Sequence, residues 1–193
     1  GSPPTLPERT PPMTATTATT ATTAPSSGRA WIAPLLLALV SVALYVPTLK
    51  HEFAYDDYFL IANNGSMKPA AEHIGAAFDL FGKEYWEGVN PDQAETMRAV
   101  GQALWRPLTL FVWALVVFAN GIGETWPFHV LSILGNVAVV LLLHTLIVRL
   151  WGRRRLAFVA TLLFALHPLH SEAVAYIAGL SDVLSAAAVL GGV

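Results

Sequence analysis

The chain has 193 residues, 54% hydrophobic and only 12% charged, with a formal net charge of −2. Soluble domains carry about 25% charged residues, so this composition predicts a membrane protein. Without a Lys/Arg excess, nucleic acid is not an expected partner, and the lack of cysteine excludes disulfides, thiolate zinc sites and cysteine nucleophiles.

The chain opens on Gly1 and stops inside an apolar run, so it reads as a fragment lacking its C-terminal part, with Met13 as a candidate start. Residues 1–29 are Pro, Thr, Ala and Ser with a Thr/Ala near-repeat at 14–23. With almost nothing to bury, they predict a disordered tail. Residues 31–49 form an apolar run of 19 residues without a charge, long enough to cross about 30 Å of hydrocarbon. The run exceeds a signal-peptide core and no cleavage site closes it, so it reads as a retained first span.

Residues 50–127 read as an outer loop. Near its start stands Tyr55-Asp56-Asp57-Tyr58, two like charges beside the membrane surface, where ionisable groups are expensive and mark function. A solvated loop with interfacial tyrosines gives the same pattern. Lys68-Pro69 opens a helix over about 68–82, whose Ile74, Phe78 and Phe81 recur on one face and predict a helix lying in the interface. The apolar run at 107–119 is 13 residues long, a length for an interfacial or re-entrant segment over about 107–120.

Charge supports that reading. The next run, 128–148, ends at Arg149 and is followed by Arg153, Arg154 and Arg155, and arginine clusters favour the cytoplasm. Only if 107–119 does not cross do Arg9, Arg29, Arg149 and Arg153 to Arg155 share the inner side. The outer loop then holds 10 Asp or Glu against 5 Lys or Arg. A short span over about 156–169 returns outward, aided by snorkelling arginines or bilayer thinning. Residues 167–182 form a second outer segment, and 183–193 begin an incomplete fourth span. The predicted fold class is therefore an all-α polytopic transmembrane bundle with interfacial helices in its first outer loop.

On the outer side, Trp105-Arg106-Pro107 sets a permanent cation at headgroup level, where a guanidinium can bind a phosphate by forked hydrogen bonds. An ordinary snorkelling arginine beside an interfacial Trp105 reads as well. His167, His170 and Glu172 could ligate a metal if Pro168 lets them converge, or hydrogen-bond each other and orient helices. Asp182 reads equally as the N-cap of the following helix. His129, Asn136 and His144 read as polar contacts between helices.

Taken in order, 55–61, 105–110 and 167–182 resemble the GT-C superfamily of polytopic membrane glycosyltransferases, and within it the tetratricopeptide-repeat-bearing protein O-mannosyltransferase-like group. The resemblance implies a multi-pass protein of a bacterial inner or endoplasmic reticulum membrane, N-terminus cytoplasmic. It implies transfer of a sugar from a polyprenyl-phosphate donor to a protein or glycan acceptor at the outer face. The family's catalytic acid falls on Asp56 with Asp57 beside it, its lipid-phosphate cation on Arg106, and its second acidic residue on Asp182. Trp105, His167, His170 and Glu172 are the accompanying candidate binding groups. One departure is Leu180, which stands where the family pattern has a basic residue. One carboxylate suffices as base, leaving Asp57 to orient substrate, raise its neighbour's pKa or hold a divalent cation. A transporter or lipid-carrier flippase, and a catalytically silent scaffold, are the alternative classes.

Overall fold

The computed structural model describes residue 1 and residues 29–99 and 104–193; the predicted tail falls almost wholly outside them. The described residues are helical, without a β-strand among them. Helix α1 (Ile32–Tyr45) continues as a 3-10 segment, Val46–Lys50, where Pro47 withholds its N–H. The segment between α1 and α6 carries α2 (Lys68–Glu72), α3 (Gly75–Asp79) and α4 (Pro91–Ala99), and α5 (Pro107–Asn120) follows. Then come the long α6 (Trp126–Trp151), α7 (Arg154–Ala165), α8 (His170–Ala175) and α9 (Leu180–Gly191).

Two stretches, Ile32–Lys50 and Trp126–Trp151, are long and apolar enough to cross a membrane. At 1.5 Å per residue α6 is about 39 Å long, and α1, α7 and α9 pack along it. Leu37, Val140 and Ala165 knit α1, α6 and α7, while Ile133 and Val183 join α6 to α9. The outward faces stay apolar: Leu36, Leu39, Leu134, Val159 and Leu163 are all exposed. Large side chains left this way on several helices are what a hydrocarbon solvent permits and water penalises. Helix α7, with 12 residues, is only about 18 Å long.

The loop builds its own core. Leu60, Ile61, Met67 and Leu80 pack with Tyr85 and Trp86 onto Leu110, Trp113 and Val117 of α5. Trp113 is fully buried, so this face of α5 is held by protein contacts.

Local departures have local causes. The single helix expected over 68–82 breaks at His73, which is extended (φ −149°, ψ 138°), and α3 restarts with His73 Nδ1 accepting the Ala76 N–H at 3.2 Å. The greasy face is still there, with Ile74, Phe78 and Phe81 exposed and both phenylalanines packed at a tilt against Phe111. The span expected to reach 169 stops at Ala165, and residues 166–169 form a turn ahead of α8. His129, Asn136 and His144 are buried on α6, but the polar contacts expected of the histidines are not formed: both His129 nitrogens and His144 Nδ1 find no hydrogen-bond partner among the described residues, and His129 meets His51 edge-on at 6.0 Å.

The turn from α8 into α9 leaves no room at Gly179. An added Cβ would lie 2.7 Å from the Ala173 carbonyl oxygen and 2.8 Å from the Glu172 oxygen, both backbone. Gly179→Ala is expected to cost about 1–3 kcal/mol in thermal unfolding in detergent. Gly123→Ala, with nothing within 4 Å of the new methyl, is expected to leave the midpoint unchanged.

Candidate active site

The acidic pair splits in two directions. Tyr55 takes a left-handed backbone (φ 47°), uncommon for a residue with a Cβ, and the Asp57 N–H bonds back to the Ala54 carbonyl at 3.0 Å. Asp57 is thereby driven inward, 1% exposed, where its Oδ1 accepts the Ala178 N–H at 2.8 Å. Burial pushes its carboxyl up to about 6, with the Ala178 N–H opposing and the Asp56 charge adding to the rise. Asp56 faces a cavity instead, and its N–H donates to the Tyr176 hydroxyl at 3.1 Å. These two bonds latch the segment after α1 to the turn between α8 and α9.

Arg106 is fixed from three sides. It is the N-cap of α5, with Pro107 at the first helical position, where a missing N–H costs nothing. Its Nη1 donates to Ser181 Oγ at 2.7 Å, and its guanidinium carbon lies 5.1 Å from the centre of the Tyr85 ring. Tyr85 is 3% exposed and its hydroxyl has no partner among the described residues. Burial, partly offset by Arg106, pushes that phenol far above its ordinary value.

Asp56, Tyr85, Arg106, Glu172, Tyr176 and Asp182 share the lining of one cavity of about 340 Å³. Arg106 and Asp182 also border a second cavity of about 300 Å³, whose other wall is Trp105, Leu108, Leu184 and Ala188. A polar pocket and a partly apolar groove thus meet at a single guanidinium. Such an arrangement can hold an amphiphile by its anionic head, with a carboxylate beside it to take a proton.

Several expected residues lie apart. Asp57, expected at the catalytic centre, does not line the cavity. Trp105 borders the groove and ties its Nε1 to the Phe81 carbonyl at 3.1 Å. His167 accepts the Leu169 N–H, and His170 lies on Phe164 at 4.1 Å, where burial lowers its pKa. Among the described residues no group of three His, Asp or Glu is arranged to hold a metal ion, so His167, His170 and Glu172 do not form a centre. Asp182 is not the N-cap of α9, a position taken by Gly179, but sits in the first turn, where the helix dipole favours a carboxylate. Leu180 is fully buried in the loop core, so no side chain from that position reaches the cavity without repacking.

Tyr85, Tyr176 and Ser181 escaped the sequence reading. Tyr176 and Ser181 lie inside the 167–182 motif, but nothing in their spacing distinguishes an aromatic anchor from a phenol in a site. Tyr85 sits in no motif at all.

The fold and cavity define an all-helical class of protein with apolar helices of membrane-crossing length and a carboxylate and guanidinium site at one end. Similarity then narrows it. The chain is 35% identical over 154 residues, 79% of its length, to "Protein O-mannosyl-transferase TMTC1" of Homo sapiens. It is 30% identical over 79% of its length to "Protein O-mannosyl-transferase TMTC2" of Mus musculus, and 26% identical over 80% to "Protein O-mannosyl-transferase TMTC4" of the same species. The resemblance to the protein O-mannosyltransferase-like group is thereby borne out. The chain spans only 16%, 17% and 21% of the lengths of these three relatives. No family model and no solved structure matches it.

Asp57 makes stability pH-dependent. Its folded pKa lies above its unfolded value, so the native state binds the extra proton and stability falls as pH rises through about 4 to 6. The loss is on the order of 3 kcal/mol. Thermal unfolding in detergent across this range should show that slope in the wild type and a flat profile in Asp57→Asn.

Proposed function

We propose that the protein is a multi-pass membrane glycosyltransferase of GT-C type. In this reading it transfers a sugar, mannose by its relatives' names, from a polyprenyl-phosphate donor to a Ser/Thr hydroxyl of a protein acceptor at the outer face. The observation that carries this reading is the shared cavity of Asp56, Arg106 and Asp182, drawn from three separate stretches. Also in support, Arg29 and Arg154 line one groove, so arginines preceding α1 and opening α7 share one end of the bundle, consistent with a cytoplasmic side.

The chemistry follows from the groups present. The acceptor oxygen attacks the anomeric carbon, the bond from that carbon to the phosphate oxygen breaks, and the hydroxyl proton passes to Asp56. Arg106 neutralises the departing phosphate, aided by the Tyr85 hydroxyl, which lacks any other acceptor among the described residues. A lipid phosphate leaves readily, so no general acid is required. Asp57 acts as a positioning residue through Ala178. Asp182, in the first turn of α9, is suited to accept hydrogen bonds from sugar hydroxyls. The groove between α5 and α9 is suited to the start of an isoprenoid chain.

The test is sugar transfer by the protein reconstituted in liposomes with a polyprenyl-phosphate mannose donor. Asp56→Asn should lower kcat by about 10²–10⁴, the usual loss on removing a general base. Arg106→Ala should lower it by about 10²–10³, and Tyr85→Phe by about tenfold, the cost of one hydrogen bond to a charged group. Equal turnover in wild type and all three variants would overturn the assignment. The chain by itself is expected to be inactive as a fragment, so the assay uses the full-length protein, and absence of transfer by that wild type would favour the silent scaffold, for which the buried Leu180 is the supporting observation.

A further inference from the structure

At the end of the bundle remote from the candidate site, α1 and α7 line an open groove of about 580 Å³. Its mouth is formed by Arg29, just before α1, and by Arg154 and Arg155 in the first turn of α7. Beyond the arginines its wall is Leu36, Phe158 and Val159, and Leu36 and Val159 are open to the surroundings. We propose that this groove binds an anionic phospholipid of the inner leaflet, its phosphate held by the three arginines and an acyl chain lying along the apolar wall.

Among the described residues the charge distribution leaves these arginines without an acidic neighbour. Every Asp and Glu among the described residues lies at 52–124 or at 172 and 182, in the outer loop or the second outer segment. None is available to the three arginines, and the two ion pairs among the described residues, Lys83 with Glu87 and Arg98 with Glu84, both lie in the outer loop. Arg154 and Arg155 also stand where a helix N-terminus repels cations, and no side chain caps the first N–H groups of α7. An anion at the mouth relieves both effects at once.

The apolar wall decides which anion. A soluble phosphate would satisfy the guanidiniums but leave Leu36, Phe158 and Val159 uncovered. A zwitterionic lipid would cover the wall while bringing a second cation to the arginines. Only a lipid with a net negative headgroup meets both halves of the groove. The proposal rests on α1 and α6 crossing a bilayer and is independent of the transfer chemistry.

The experiment is native mass spectrometry of the full chain in mild detergent, titrated separately with phosphatidylglycerol, phosphatidylcholine and glycerol 3-phosphate. The expected result is retention of phosphatidylglycerol about tenfold above phosphatidylcholine, with no adduct of glycerol 3-phosphate. The double variant Arg154→Gln/Arg155→Gln should retain both lipids equally. Ala33→Phe, which fills the groove without touching its charges, should lose the phosphatidylglycerol adduct, and Arg98→Gln in the outer loop should keep it. Circular dichroism checks that each variant is folded. Equal retention of the two lipids by the wild type, or glycerol 3-phosphate bound as well as the lipid, would overturn the proposal. A wild-type chain soluble without detergent that retains neither lipid would overturn the membrane reading with it.

Discussion

Asp57, a buried carboxylate, holds the segment after α1 to the turn between α8 and α9 across 121 positions of chain. Burying an acid is costly, and here the cost is met by the Ala178 N–H and by a raised carboxyl pKa that brings protonation close to neutral pH. The consequence is spatial. Once Ala178 is fixed, Tyr176 two residues before it reaches the Asp56 N–H, and Ser181 three residues after it reaches Arg106. Asp56, Tyr176, Ser181 and Arg106 are thus set, directly or through one neighbour, by that bond.

The loop core matters for the same reason. A helix of 14 residues such as α5 is too short to be positioned by spanning a membrane, so its placement comes from packing Trp113 and Val117 under the loop. Arg106 at its head is therefore referenced to a rigid protein surface, with Tyr85 beneath its guanidinium. A cation free to snorkel would average over many positions. One clasped by Ser181 and an aromatic face is preorganised, which is what stabilising a leaving phosphate demands.

The two ends of the bundle have opposite characters. Carboxylates and one clasped arginine gather where α1 ends and α6 begins, joined there by Thr125 Oγ1 donating to the His51 carbonyl. Arginines without acidic partners among the described residues gather at the other end, about 39 Å away along α6. In the proposed reading this polarity would orient the molecule in a bilayer, with a sugar phosphate handled at one end and an anionic headgroup at the other.

Much of this was legible in the chain itself. Helices near 31–49, 107–120 and 128–148 were readable because the length of an apolar run depends only on local residues, and the grouping of Asp56, Arg106 and Asp182 followed from the resemblance and the charge asymmetry. The sequence by itself determined which segments are apolar, where the charges fall along the chain and which stretches carry the family resemblance. Only the tertiary structure decided that Asp56 faces the cavity while Asp57 turns into the core, that the 68–82 segment breaks at His73, and that Tyr85 underlies Arg106. Those outcomes depend on a left-handed turn at Tyr55 and on contacts between residues far apart in the chain, and neighbouring side chains of the same type carry no mark of which way a fold will point them.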